Sequence, residues 1–141
     1  MKGLFKPLSF FATLVMLFAF SLNVNAQVEV FDDNELIFTV VENEAEFPGG
    51  SDSLNKFIND NLLYPEEAFE KKIKGTVFLT FVIEKDGSIN DIKILRDIGY
   101  GCAEEAIRVV KLMPKWKSAK QREINVRQQY HLPIRFKLPK E

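Results

Sequence analysis

The side chains that could carry out covalent chemistry are few in this chain. Cys102 is the only cysteine and His131 the only histidine among the 141 residues. A thiol beside an imidazole can act as a nucleophile and its base, and a helix N-terminus can lower the pKa of a thiol. However, Cys102 lies at the start of a predicted helix and His131 in a predicted strand far along the chain. We therefore expect no catalysis and interpret Cys102 as a small core residue. A reactive thiol is the alternative.

The patterns that bind phosphate, metals and nucleic acid are also missing. Gly99-Tyr100-Gly101 precedes a predicted helix, but neither a P-loop nor a dinucleotide-binding glycine pattern follows, which favours a plain turn. The acidic residues do not cluster at metal-ligand spacing. The basic residues are spread over predicted strands and helices without interleaved aromatic residues, a poor pattern for nucleic-acid binding. We expect no enzyme activity, no cofactor, no metal and no nucleic-acid partner.

The clearest structural pattern lies between residues 124 and 138. Apolar and polar side chains alternate there with a period of two, and Gln128 is the only polar residue on the apolar side. This pattern predicts a long β-strand with one buried and one solvated face. Pro133 has no N–H to donate, which favours the edge of a sheet. An open edge can accept a strand from another protein.

The N-terminus has the features of an export signal. Two lysines and a 15-residue apolar stretch, residues 8–22, precede Val24-Asn25-Ala26, which fits a small-x-small cleavage site. The apolar stretch is short for a membrane span, which needs roughly 20 residues. We predict a signal peptide over residues 1–26, cleavage between Ala26 and Gln27, and a periplasmic location. Retention of residues 8–24 as an inner-membrane anchor is the alternative.

The segment that follows the signal is acidic. Residues 27–52 contain eight acidic residues and no lysine or arginine, whereas residues 53–141 contain 17 basic and 12 acidic residues. Residues 36–41 have strand composition and could add a short strand. We interpret residues 27–46 as a solvated arm, with folding back onto the basic domain as the alternative. A single cysteine cannot form an internal disulfide, so the domain must be stabilised by core packing.

Breaker residues divide residues 47–141 into helices and strands. Helical and alternating spacings of apolar residues predict the order helix, helix, strand, strand, helix, strand. A shift of apolar parity between Ile89 and Ile92 predicts a bulge or a twist there. Antiparallel strands with helices packed on one face make a two-layer α+β sandwich. The predicted elements are a helix capped by Ser51 or Asp52 with an apolar stripe of Leu54, Phe57, Ile58 and Leu62, a helix begun by Pro65, a strand over residues 76–84, a turn over 85–88, a strand over 89–95, a helix over 103–113, a core residue at Trp116 and the final strand.

Residues 47–138 contain a series of short motifs, which are Pro48-Gly49-Gly50, Tyr64-Pro65, Gly75-x-Val77-x-Leu79-x-Phe81-x-Ile83, Asp86-Gly87-Ser88-Ile89, Met113-Pro114-Lys115-Trp116 and Pro133-Ile134-x-Phe136. Their order and spacing resemble the C-terminal domain of TonB. The resemblance implies a three-stranded antiparallel sheet with helices on one face. It also implies that a short periplasmic segment of an outer-membrane receptor, the TonB box, is captured as an added strand beside the last strand.

Two features depart from a TonB energy transducer. About 21 residues without proline, residues 27–47, separate the signal from the domain, and they extend to ~75 Å at most. Ser118-Ala119 also stands where relatives commonly carry Pro-Gly. We therefore predict an exported stand-alone domain, residues 47–141, that binds extended segments of TonB-dependent outer-membrane receptors or other envelope proteins. A membrane-anchored transducer and an edge-paired homodimer are the alternatives, and the chain would contact the membrane only if the signal is uncleaved.

The predicted binding site is the open edge of the final strand. Backbone direction alternates along a strand together with the side-chain face. The missing N–H of Pro133 suits a position that faces away from the neighbouring strand, so the other odd-numbered residues would direct their backbone groups toward a guest strand. We expect a guest to dock along residues 125–131 and Pro133 to limit how far it pairs. The predicted contact residues are Asn125, Arg127, Gln128, Gln129, Tyr130 and His131.

We expect the native mature protein to begin at Gln27, because the residues before it fit a cleavage site. The intact mass of the protein isolated from cell envelopes measures this directly. A mass that still includes residues 1–26 would contradict cleavage and favour the membrane-anchored transducer.

Overall fold

The computed structural model describes residues 36–140. The predicted signal peptide and its cleavage site at Ala26 and Gln27 lie outside these residues. Among the described helices, none is long and apolar enough to cross a membrane. The described elements are β1 (Ile37–Phe38), α1 (Ser51–Asn61), α2 (Glu66–Glu70), β2 (Gly75–Ile83), β3 (Ile89–Arg96), α3 (Cys102–Lys111), β4 (Ala119–Gln121) and β5 (Ile124–Phe136).

The predicted antiparallel sheet is confirmed, with β2 at its centre. β2 pairs with β3 on one side and with β5 on the other, both antiparallel. Odd-numbered residues of β2, such as Leu79 and Phe81, are fully buried in the core beneath the helices. Two short strands extend the three predicted ones, since β1 and β4 both pair with β5. The α+β class therefore stands, with more strands around β5 than predicted.

The bulge predicted early in β3 is also confirmed. Val82 lies opposite Asn90, but Thr80 lies opposite Lys93, so β3 holds one extra residue between these pairs. Asp91 takes a positive φ of 51° there, and the Asn90 side chain accepts a hydrogen bond from its N–H at 2.9 Å. The bulge changes which residues face the core, which explains the parity shift in the sequence.

Helix α1 begins differently from the prediction. Its N-cap is Gly50, with φ 87°, and no side chain caps the helix. The Gly50 N–H instead donates to the Phe47 carbonyl at 2.8 Å, closing a tight turn before the helix. The predicted caps Ser51 and Asp52 are consequently the first two helical residues. The predicted apolar stripe is correct, because Leu54 and Ile58 are buried.

Trp116 fills the centre of the core, as predicted. Its ring lies 4.9 Å from that of Tyr130 and 5.6 Å from that of Phe81, both edge-on. The chain around it is fixed by the β2–β3 turn, where the Trp116 N–H donates to the Gly87 carbonyl at 2.9 Å. Gly87 takes φ +85°, and a Cβ at this position would lie 1.9 Å from the Trp116 carbonyl oxygen. The turn can therefore approach the tryptophan loop only with glycine at this position.

We predict that Gly87→Ala destabilises the domain by about 2–4 kcal/mol, because the new methyl adds a collision with Trp116 to the strain of a left-handed alanine. Gly99→Ala is a matched control. Gly99 has a similar φ of +79°, and no atom lies within 4 Å of the point that a Cβ would occupy, so this variant loses only about 1–2 kcal/mol. Urea unfolding of both variants measures the difference, and equal destabilisation would contradict a close approach at Gly87.

Candidate functional site

Strand β5 has different neighbours along its two edges. On one edge, β2 pairs with residues 128–136 without a register shift. Gln128 lies opposite Ile83 of β2 and also opposite Phe38 of β1, so β1 must lie on the other edge. We call the edge opposite β2 the outer edge. Among the described residues, β1 is the strand seen there at residues 127–128, and residues 129–136 have no strand partner on that edge.

The start of β5 is already paired with β4. Asn125 lies opposite Lys120 in a hairpin, whose two turn residues, Arg122 and Glu123, take positive φ values of 50° and 64°. Two positive φ angles are typical of a type I′ turn, whose twist suits a tight hairpin. The N–H and C=O of Lys120 bond to Asn43 on the far side of β4, so Lys120 and Asn125 form a non-hydrogen-bonded pair, and the backbone groups of Asn125 point away from β4.

The acidic segment before α1 folds back onto the domain from residue 36 onward. Backbone hydrogen bonds of 2.8–3.1 Å join Asn43 to Lys120 and Glu46 to Lys117 in both directions. The Glu42 carboxylate accepts a hydrogen bond from the Arg122 N–H at 3.2 Å. For residues 36–46 the interpretation as a solvated arm is wrong, and the alternative of folding back onto the basic domain is correct.

The side chains of two predicted contact residues belong to the core face. Gln128 is only 3% exposed, and its Oε1 accepts a hydrogen bond from the Ala45 N–H at 2.7 Å. Tyr130 packs against Trp116, and burial raises the pKa of its phenol, with a smaller contribution from Glu44. Gln128 therefore holds the acidic segment in place, and neither side chain faces the solvated side of the sheet.

Arg127 is held by the end of β2. Its Nε lies 2.7 Å from Oε2 of Glu84, and its Nη2 lies 3.1 Å from Oε1, so the pair is bidentate. Both side chains are largely buried. Among the predicted contact residues, Gln129 and His131 lie in the unpaired stretch of the outer edge, and their side chains are half-buried and exposed, respectively.

The outer edge continues into a groove that the sequence did not predict. A cavity of about 650 Å³ lies between the end of β5 and helix α1. Its polar lining comes from exposed side chains on both sides, and its apolar lining runs from the buried Ile58 to Phe69, which is 50% exposed. We call this the edge groove, and it is lined by Arg135 and Lys137 from the strand side, Asn55 and Asn59 from α1, and the apolar residues Ile58 and Leu62.

Cys102 is fully buried at the start of α3, as predicted for a core residue. Burial raises the pKa of its thiol, and Asp97 and Glu104 raise it further. His131 is exposed on β5. Within the described residues, no hydrogen bond joins the buried thiol to the exposed imidazole.

The sequence of this chain matches a known family over most of its domain. Residues 60–138, more than half of the 141, match the Gram-negative bacterial TonB protein C-terminal family. The chain belongs to this family. Two solution structures of the Helicobacter pylori TonB-CTD are similar to it. One has 29% identity and a TM-score of 0.45, covering 67% of this chain and 89% of that chain. The other has 28% identity and a TM-score of 0.42, covering 63% and 94%. No curated protein matches.

TonB C-terminal domains are envelope modules of transport systems and interact with outer-membrane receptors. In this TonB C-terminal domain the family match begins at Asp60, near the end of α1. It includes all of β5, but β1 and Asn55 and Asn59 of the edge groove precede it. Residues outside the matched region therefore form two parts of this surface. These are β1, which covers the outer edge at residues 127–128, and the α1 side of the groove.

We predict that Gln128→Leu destabilises this TonB C-terminal domain by about 1–3 kcal/mol, because the Ala45 N–H loses its buried acceptor. Gln129→Leu is the matched control one residue along; its side chain is half-buried, and we expect a change within about 0.5 kcal/mol. Urea unfolding compares the two variants. Equal effects would show that the buried amide does not hold the acidic segment.

Proposed function

We propose that this domain binds extended segments of TonB-dependent outer-membrane receptors in the periplasm, by adding them as a strand to the outer edge of β5 from Gln129 onward. The observation that carries the proposal is the unpaired stretch of residues 129–136. It forms a continuous ladder with β2 on one edge and has no strand on the other among the described residues. Strand addition uses such an edge, because its free N–H and C=O groups are already aligned.

Strand β1 supports the proposal and suggests the direction of the guest. The chain places Ile37 and Phe38 beside Arg127 and Gln128 in a parallel arrangement. The outer edge is thus compatible with a parallel strand at its first two positions. The chain bends at Thr39 and Val40, directly after β1, so a guest that begins beside Gln129 would continue the line of β1.

Pro133 indicates which backbone groups a guest would meet. Because the ladder to β2 has no register shift, residues of the same parity as Pro133 direct their backbone groups the same way. A proline is tolerated where its missing N–H faces away from β2. Gln129, His131 and Arg135 then each offer an N–H and a C=O at the outer edge, and Pro133 offers only its C=O.

The resulting affinity is modest. Each backbone hydrogen bond contributes about 0.5–1.5 kcal/mol net, and ordering a flexible guest opposes binding. A weak, reversible complex suits a domain that engages receptors transiently. The same proposal places residues 47–141 in the periplasm after export, as a binding module without enzyme activity.

We predict that Gln129→Pro weakens binding of receptor segments roughly three- to tenfold, because it removes one outward N–H. Gln129→Ala is the control, since it removes the side chain but keeps the N–H, and we expect near-native affinity. The measurement is a titration with peptides covering the N-terminal periplasmic segments of TonB-dependent receptors from the same bacterium. Native affinity in a folded Gln129→Pro variant would show that the guest docks elsewhere.

A further inference from the structure

The edge groove lies where a guest strand on the outer edge would end. The unpaired stretch begins at Gln129, and the groove is lined by Arg135 and Lys137 six and eight residues later. A parallel guest rises ~3.3 Å per residue, so its C-terminal residues would lie beside these two side chains. The chemistry of the edge groove therefore influences which guest segments bind to the outer edge.

The charges of the groove favour an anion. Arg135 and Lys137 are exposed, and within residues 36–140 neither has an ion pair or a side-chain hydrogen bond. Asn55 and Asn59 add two side-chain amides from α1. These two amides also have no hydrogen-bond partner within the described residues. No acidic residue lines the groove. Two cations and two amides thus surround a space that contains no carboxylate.

The apolar residues of the groove define a second requirement. Ile58 is buried and Leu62 is half-buried, so the groove has an apolar side beneath its polar rim. Side chains of a strand alternate between the two faces of the sheet. Guest residues level with Arg135 and Lys137 would lie on the solvated face with these cations, and the residue between them would face α1.

We propose that the edge groove selects guest segments whose C-terminal end reads carboxylate, apolar, carboxylate. In the register set by β1, Phe38 lies level with Gln128. The two guest carboxylates lie seven and nine residues after that position, which is level with Arg135 and Lys137. The apolar side chain between them would contact Ile58 and Leu62. This selectivity rests on the proposed strand addition and adds the chemistry of the partner segment.

The test uses the full mature chain and two synthetic nine-residue peptides. Both begin Thr-Val-Val-Thr-Asn-Thr, and one ends Glu-Leu-Glu while the other ends Gln-Leu-Gln. Titration of isotope-labelled protein by NMR locates the peptide and measures weak affinities. We expect both peptides to shift residues 129–137 and the acidic peptide to bind roughly three- to tenfold more tightly at low salt, as for two exposed ion pairs.

Two double variants with equal loss of charge separate the groove from general attraction. Arg135→Gln/Lys137→Gln removes the cations of the groove, and we expect it to abolish the preference for the acidic peptide. Arg96→Gln/Lys111→Gln removes two exposed cations that do not line the groove, and we expect it to keep the preference. Salt at ~0.5 M should reduce the preference in the native protein.

Each other outcome has a defined meaning. Equal affinity of both peptides for the native protein would overturn the selectivity and leave strand addition intact. A preference that survives Arg135→Gln/Lys137→Gln, or is lost equally in Arg96→Gln/Lys111→Gln, would overturn the assignment to the groove. If neither peptide shifts residues 129–137, the inference fails, while the titration with receptor segments decides strand addition separately.

Discussion

The uninterrupted ladder between β2 and β5 is the constraint on which the rest of the molecule depends. Nine consecutive residue pairs hold residues 128–136 in one register. That register puts Leu132, Ile134 and Phe136 into the core and turns the intervening residues to the solvated face. Every second residue of β5 directs its N–H and C=O toward β2, and the residues between them direct theirs toward the outer edge. Pro133 is compatible with this strand only because its missing N–H can lie on that edge.

The acidic segment and the end of the sheet stabilise each other. Residues 43–46 pair with the chain before and within β4, and the buried Gln128 amide accepts the Ala45 N–H. Gln128 is a polar residue on the apolar face of the strand. Its side-chain carbonyl accepts the Ala45 N–H, which would otherwise be buried without a partner. The same segment brings β1 onto the outer edge, so the chain itself provides the first strand of the surface that we propose for a guest.

Local sequence patterns predicted most of the elements but few of the long-range contacts. The β2–β3 turn, the bulge opposite Phe81, the stripe of α1 and the burial of Trp116 follow from spacing, glycine position and apolar parity. The predicted N-cap of α1 was wrong because a backbone turn through Gly50 precedes the helix and no side chain caps it. The folding of residues 36–46 onto β4 and Gln128 joins positions about 80 residues apart, and no local pattern marks such a pairing.

The sequence by itself determined that β5 is a long strand with one buried face and a proline suited to an edge, since side-chain alternation and the missing N–H are properties of the residues themselves. It also determined the family, through the order of its motifs. Only the tertiary structure decided how much of the outer edge is open, because that depends on where β1 pairs with β5. It likewise brought Asn55 and Asn59 of α1 opposite Arg135 and Lys137, since a groove between a helix and a strand depends on their packing and not on either sequence alone.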